Sequence, residues 1–348
     1  MFNLPRENPN QISPRDTVLL MIRGFQISQC VYAAVRLGIL DLLGDGSKHY
    51  QELATETNTH ADSLYRLLRT LVSLGILQEN QPDYFQNTPL AAYLRDDQVG
   101  TLRNWLITEI EESYACWGNF TQSLTTGEGA FKAMYGLDIE EYHRENPSLN
   151  KVYDQSMNDI TTFQIAKILE ALEAYDFSSV EVLADIGGGQ GKLIAAILKR
   201  YPQIKGILFE QPYSLEKAKN LLKQEGVSER CQLISGDFFE SVPVVADVYL
   251  LKQVLLSWND QQVVDILKNC RQYMPSTSRL LIAERIIRKI YWRDNLADLQ
   301  LWMLHSGKIR SENELKVLLT SAGFQIDKII DTMPVQSLIE ASPLPKLN

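Results

Sequence analysis

An apolar run, Val182-Leu183-Ala184-Asp185-Ile186, breaks into Gly187-Gly188-Gly189-Gln190-Gly191, and a helical pattern begins directly behind it at Lys192. A strand that ends in glycines and re-emerges as a helix commits the chain to an α/β unit. The backbone at the strand end is left bare for close approach of a nucleotide-like ligand. A second apolar run, Gly206-Ile207-Leu208-Phe209, ends on Glu210, where a carboxylate can accept hydrogen bonds from ribose hydroxyls. The glycines are spaced G-x-G-x-G, whereas a dinucleotide fingerprint would need its third glycine at Lys192. With no pyrophosphate to cradle, the fitting ligand is an adenosine carrying a small charged tail, and S-adenosylmethionine is the candidate.

The rhythm around this unit gives the fold class. From Phe177 onward strands alternate with helices, and the strands fall at Val182–Ile186, Lys205–Glu210, Cys231–Ser235, Asp247–Lys252, Arg279–Glu284, Phe324–Ile330 and Val335–Glu340. The last two have no helix between them, so the final strand returns antiparallel. The expectation is a doubly wound, Rossmann-like sheet of seven strands with one strand reversed. Ser311-Glu312-Asn313-Glu314 spells a capping box for the helix before that last pair.

The N-terminal third reads differently. Residues 1–16 are polar and form a loose arm; Thr17 to Leu43 is helical and apolar on more than one face, as in helices buried in a core or against another subunit. A short helix over Tyr50 to Thr55, an amphipathic helix carrying Leu64, Leu67, Leu68 and Leu71, and a hairpin (Ile76-Leu77-Gln78, Tyr84-Phe85-Gln86) behind Gly75 make a winged-helix unit. Its recognition helix would offer DNA only Arg66 and Arg69, in a chain of net charge −9 and pI near 5.1. Phosphate contacts dominate such binding, so a structural module is the better reading and nucleic acid is not an expected partner. The organisation expected is thus a helical, winged-helix-like dimerisation domain at 1–100, a helical linker at 101–172 that contributes to a substrate pocket, and a cofactor-binding catalytic domain at 173–348. The four cysteines (Cys30, Cys116, Cys231, Cys270) have no CxxC spacing, and the four histidines (His49, His60, His143, His305) form no metal cluster. The N-terminus has no signal-peptide pattern, and the uncharged run Gly24 to Val35 is short for a bilayer, so a cytoplasmic protein with no membrane partner is expected.

From about Gln26 to about Glu340 the chain resembles the S-adenosylmethionine-dependent methyltransferases of the caffeate/hydroxyindole type and their bacterial tailoring relatives. The resemblance rests on Trp117-Gly118, Thr126-Gly127-Glu128, Met157, Asp185 to Gly191, Gly236-Asp237-Phe238-Phe239, Trp258-Asn259-Asp260 and Asp298-Leu299, all in the family's order. It implies the class I methyltransferase fold, S-adenosylmethionine as cofactor, a small-molecule acceptor and a homodimer held by the N-terminal helices. It also implies roles. Asp185, Gly187, Gly189 and Gly191 belong to the cofactor loop, the glycines lining the methionine end. Glu210 holds the ribose, Asp237 and Phe238 meet the adenine, Lys252 approaches the cofactor carboxylate, and Trp258 covers the adenine. Trp117, Met157, Leu256, Trp302 and Met303 fall on the substrate side. Taken singly, Phe238 and Trp258 are equally what an apolar core would hold and Lys252 equally a solvated strand end; in register with the glycine loop the ligand reading prevails.

The departures from the family pattern bear on mechanism. Where O-methylating relatives carry the histidine that deprotonates the acceptor, Val254-Leu255-Leu256-Ser257-Trp258 places Leu256. Where they carry the carboxylate that orients that histidine, Lys308-Ile309-Arg310-Ser311 places Ile309. Glu284 matches a third family acid without its partners. His305, in Trp302-Met303-Leu304-His305-Ser306, is the rival base, because histidine exchanges protons near neutral pH; the plainer reading is a hydrogen-bonding histidine at a helix end. Tyr249 and Tyr153 are weaker candidates. A positioned base contributes about 10²–10⁴-fold, whereas orientation of two reactants can supply ~7–11 kcal/mol. Transfer by proximity to an oxygen acceptor therefore leads. Carbon or nitrogen methylation, a cofactor-retaining hydroxylase or pericyclase, and a silent ligand-binding protein are the alternatives.

Overall fold

The computed structural model describes residues 13–345 apart from 99, 174, 176, 289–290 and 333–335. The chain divides into two compact units, Met1–Asn119 with Glu140–Thr162, and Phe120–Ile139 with Phe163–Asn348. The helical stretch 101–172 is thus shared between them.

In the first unit a 23-residue helix, Pro14–Arg36, starts where the Ser13 hydroxyl accepts from the Asp16 N–H and Pro14 supplies a ready-made φ. Residues 14–16 therefore belong to the helix and not to an arm; residues 1–12 lie outside the described residues. The pattern read as continuous to Leu43 is broken at Gly38, whose φ of +68° ends one helix and opens the next, Ile39–Leu43. Of the long helix only Ala34 and Val35 are buried. By length and composition alone the whole helix, Arg23 included, is long and apolar enough to cross a bilayer, whereas its uncharged run Gly24 to Val35 is not. Met21 and Ile22 are 69% and 61% exposed. The core of this unit is formed by Leu53 of helix Tyr50–Glu56, Leu64, Leu68 and Leu71 of helix Ala61–Ser73, and Phe85. Leu67 is only partly buried. The wing has three strands, β1 (Ser47–His49), β2 (Leu77–Gln81) and β3 (Tyr84–Asn87), in the order β1-β3-β2. Strand β1, only Ser-Lys-His, is too short and polar to leave a sequence signal. Further along, a π-helical segment, Glu109–Ser113, buries Glu112 against His143, with Nε2 and Oε2 3.0 Å apart. The Tyr153 ring packs on that imidazole at 4.4 Å, which is where this weaker base candidate lies.

The second unit contains the seven-stranded sheet: β4 (Val182–Ile186), β5 (Lys205–Glu210), β6 (Cys231–Ser235), β7 (Val248–Lys252), β8 (Arg279–Glu284), β9 (Phe324–Thr332) and β10 (Gln336–Pro343). Their order is β6-β5-β4-β7-β8-β10-β9, parallel from β6 to β8, with β10 running antiparallel between β8 and β9. Alternate residues feed two apolar layers. Ala184, Ile186, Tyr249 and Leu251 face helices Asp260–Tyr273 and Glu312–Ser321; Leu183, Val248 and Leu250 face helices Lys192–Arg200 and Pro212–Gln224. Asp247 stops short of β7, and its carboxylate accepts from the N–H groups of Glu181 and Val182 at 2.9 Å each. The Ser311 capping box forms with Glu314, and a second one joins Asn259 to Gln262. The chain leaves β4 outward to β5 and β6, then crosses to β7 on the other side. The topological switch point, where ligands settle in such sheets, therefore lies between β4 and β7.

Candidate active site

The expected cofactor residues lie at or just beyond the carboxyl ends of β4 to β7, with Trp258 following the turn after β7. Gly187 turns out of β4 with φ +69° while its N–H bonds the Phe209 carbonyl at 2.8 Å. Gly189 (φ +59°) and Gly191 (φ +77°) also take left-handed conformations that other residues resist. A Cβ on Gly189 would meet nothing within 4 Å, so open space lies on that side of the loop. The tight position is Gly188, which sequence spacing did not single out: a Cβ there would sit 2.4 Å from Asp185 Oδ2 and 2.6 Å from Leu208 Cδ1. Glu210 grips the loop from β5, its carboxylate accepting from the N–H of Gly189 at 3.0 Å and of Gln211 at 2.7 Å.

Asp185 is fully buried, and neither of its carboxylate oxygens has a partner in the protein. Burial pushes its carboxyl up to about 7, against the pull of Lys252. Lys252, at the end of β7, is drawn down to about 8, again by burial. It is half-buried rather than a solvated strand end, and its Nζ donates to Gln253 Oε1 at 2.8 Å. Gln253 itself holds a left-handed φ of +54°, a strained conformation of the kind kept at functional sites. Nothing in the sequence around Gln253 announces that. Beside this pair, Gly236 lets the chain pass against the Phe209 ring, and Asp237 Oδ1 accepts from the Phe239 N–H at 2.8 Å. Trp258 stands edge-on to Phe238 and Phe239, with centroids 6.0 and 4.8 Å away. All three rings are partly exposed where they pack against the core of the second unit.

Leu256 and Ile309 sit on two adjoining segments. Leu256 lies in the 3₁₀ turn Leu255–Ser257, and its carbonyl accepts from the Lys308 N–H at 2.8 Å, one residue before Ile309. Gly307 permits that approach, since a Cβ there would meet the Leu256 carbonyl oxygen at 2.6 Å. Glu284 does not stand free as an acid. Its Oε1 accepts from the N–H groups of Leu255 and Leu256, and burial raises its carboxyl to about 7 while those N–H groups and Arg310 pull it down. Asp298 performs a matching task, accepting from the Ile309 N–H at 2.7 Å. The missed residue is Arg310, among the largest fully buried side chains. Its donors reach the carbonyls of Leu255 (3.0 Å) and Trp258 (2.6 Å) and the Asp260 carboxylate (2.8 Å).

Tyr249 is removed from candidacy: it is wholly buried, and its hydroxyl donates to the Val244 carbonyl. Met303 is likewise wholly buried, beneath Gly129, whose missing Cβ leaves room for the backbone carbonyls of Trp302 and Met303. Trp302 packs edge-on to Phe120 and lines a cleft of about 320 Å³ with Asn259, Asp298 and Lys308. His305 is half-buried in the last turn of helix Trp292–His305. Trp117 and Met157 belong to the first unit. Among the described residues no group of side chains could hold a metal ion.

A glycine loop, a strand-end acid and an aromatic wall on a sheet of this order, with its last-formed strand reversed, define a class I methyltransferase. The chain belongs to the O-methyltransferase family: an O-methyltransferase domain matches residues 117–325, and an O-methyltransferase dimerisation domain matches residues 19–97. It is 36% identical over 334 residues to the phenazine O-methyltransferase of Lysobacter antibioticus, covering 95% of this chain and 97% of that one. It superposes on the solved mitomycin 7-O-methyltransferase with TM-score 0.85 and 31% identity, over 94% and 97% of the two chains. On the calicheamicin biosynthetic methyltransferase CalO1, in its S-adenosylhomocysteine-bound form, the TM-score is 0.82 at 27% identity, over 96% and 100%. The protein is a methyltransferase that uses S-adenosylmethionine.

Proposed function

We propose that this enzyme methylates an oxygen of a small aromatic or conjugated specialised metabolite, one already anionic near neutral pH, by proximity and orientation without a general base. The observation that carries the reading is the pairing of Leu256 and Ile309 on adjoining segments whose backbone is tightly held. In this reading the backbone at both positions is held in place, and the side chains it carries are aliphatic. Such a site lowers the barrier by fixing geometry, which can supply ~7–11 kcal/mol. It forgoes the ~10²–10⁴-fold that a positioned base adds.

For the cofactor, the orphaned oxygens of Asp185, the half-buried Lys252 cation and the open space beside Gly189 suit the ammonium, carboxylate and chain of a methionine end. In this reading Glu210, at the end of β5, takes the ribose hydroxyls, and Asp237, Phe238 and Trp258 take the adenine. When bound, S-adenosylmethionine supplies an electrophilic methyl group on sulfonium. The protein's part is to hold that group, exclude water with the partly exposed Leu256 backed by the buried Ile309, and present the acceptor, with Trp302 as a contact. Trp117, Met157 and the buried Met303 carry no part of this reading. The exposed apolar stripe Val18, Met21, Ile22 and Phe25 is covered, in this reading, by a second copy of the chain, as the dimerisation-domain match favours.

The test is a panel of phenolic, enolic and carboxylic acceptors assayed with the wild type and with Leu256→His/Ile309→Glu. Ionised acceptors should be turned over by the wild type and ordinary phenols only by the double variant. Equal wild-type rates on un-ionised phenols would overturn the reading.

A further inference from the structure

The turn between β7 and helix Asp260–Tyr273 is gripped on nearly every polar atom. Glu284 takes the N–H groups of Leu255 and Leu256; the Lys308 N–H takes the Leu256 carbonyl; the Trp258 N–H bonds back to the Leu255 carbonyl at 3.2 Å. One guanidinium completes the set. Arg310 Nη1 reaches the Leu255 carbonyl and Nη2 the Trp258 carbonyl, so a single planar group spans Leu256 and ties the residue before it to the aromatic after it. Its Nε is aimed by Asp260, whose side chain is 53% exposed while that of Arg310 is 1% exposed. The Arg310 backbone is fixed as well: its carbonyl accepts from the Ile287 N–H at 3.0 Å, beside a parallel bridge to Ile286. Only a rigid fork can satisfy two carbonyls and a carboxylate in fixed directions at once; an ammonium cannot.

We propose that Arg310, oriented by Asp260, is a positioning residue that couples the adenine side of the site to its reacting end, setting the register of Trp258 against the Leu255–Leu256 turn. The proposal rests on the reading that Trp258 covers adenine and Leu256 lines the reacting end. It goes beyond that reading by making the two ends one mechanical unit. Cofactor binding on Trp258 is then felt at Leu256 through the guanidinium, before any acceptor arrives.

The probe is S-adenosylhomocysteine, used with full-length wild type, Arg310→Lys, Asp260→Asn and Trp258→Ala. Calorimetry gives affinity, and hydrogen exchange gives the protection of the Leu255, Leu256 and Lys308 amides with and without the probe at saturation. The expected result is a loss of affinity of about tenfold in Arg310→Lys and a smaller one in Asp260→Asn, the scale of one charge-assisted hydrogen bond. In the wild type the probe should slow exchange at those amides, and in both variants that probe-dependent increment should disappear. A merely structural arginine would lower protection equally with and without the probe and leave the increment unchanged, which overturns the proposal. Asp260→Asn changes an exposed carboxylate and keeps the test open should Arg310→Lys fold poorly. If Trp258→Ala binds the probe like wild type, the adenine assignment fails and takes the proposal with it. If Trp258→Ala is weakened while both other variants keep wild-type affinity and increment, the coupling alone fails.

Discussion

Gly188→Ala separates the steric role of the glycine loop from its ligand-binding role. The new Cβ would lie 2.4 Å from Asp185 Oδ2 and 2.6 Å from Leu208 Cδ1, where ordinary contact begins near 3.4 Å. Something must move by about 1 Å, and Asp185 and Leu208 are both fully buried. Overpacking of this kind costs ~1–3 kcal/mol, and displacing a buried carboxylate puts the expectation at the upper end, ~3 kcal/mol. At about 2–4 °C per kcal/mol the melting temperature should fall by roughly 6–12 °C. Gly189→Ala is the control. Its Cβ meets nothing within 4 Å, so the cost is only that of a left-handed alanine, ~1–2 kcal/mol, while the methyl enters the open side of the loop. Thermal melts and calorimetry with S-adenosylhomocysteine should rank the two variants oppositely. Gly188→Ala should lose more stability, and Gly189→Ala more affinity relative to its small stability loss. A Gly188→Ala protein that melts like wild type, or a Gly189→Ala protein that binds like it, refutes this account of the loop.

Three further outcomes are expected. Glu314 is held well below its ordinary range, to about 2, first by Lys308 and then by the Ser311 N–H. Its stabilisation is therefore complete above the unfolded carboxyl's ~4.5 and drains away as pH falls toward 2. The gap in melting temperature between wild type and Glu314→Gln should narrow between pH 5 and pH 3, and a constant gap would count against it. Ile22→Glu puts a charge on a side chain 61% exposed in the single chain; sedimentation should show a dimer for the wild type and monomers for the variant, and an unchanged dimer would move the interface elsewhere. His305→Ala should reduce transfer severalfold at most, whereas a fall of ~10²-fold with cofactor affinity retained would make His305 the base after all.

The sheet was readable because its central parallel strands β4, β7 and β8 are buried on both faces and so appear as nearly unbroken apolar runs. Four of the seven, β4, β5, β6 and β8, begin and end where the sequence pattern placed them. The three-residue β1 and the break at Gly38 were hidden, one by brevity and polarity, the other because a single glycine within an apolar helical pattern does not declare its φ. The strand-end positions of Glu210 and Lys252 were legible from the sequence pattern. Those whose importance lies in three-dimensional closeness were not: the crowding at Gly188, the twist at Gln253 and the reach of Arg310 depend on which atoms the fold brings together. Glu284 and Tyr249 show the converse. Both have the chemistry of a proton acceptor, yet Glu284 Oε1 and the Tyr249 hydroxyl are engaged with backbone partners.

In the Leu255–Trp258 turn the backbone groups of Leu255, Leu256 and Trp258 are held through the backbone and through Glu284, Lys308 and Arg310, with nothing contributed by the side chain at 256. That side chain is an exchangeable insert in a fixed socket. On the proposed reading, exchanging it changes the chemistry of the pocket at little cost to the backbone, whereas Ile309 is 4% exposed and a polar replacement there carries a burial cost. A lineage following that reading would gain or abandon proton abstraction chiefly through residue 256, and the acceptors open to it would follow from which of its pathway's intermediates are already ionised.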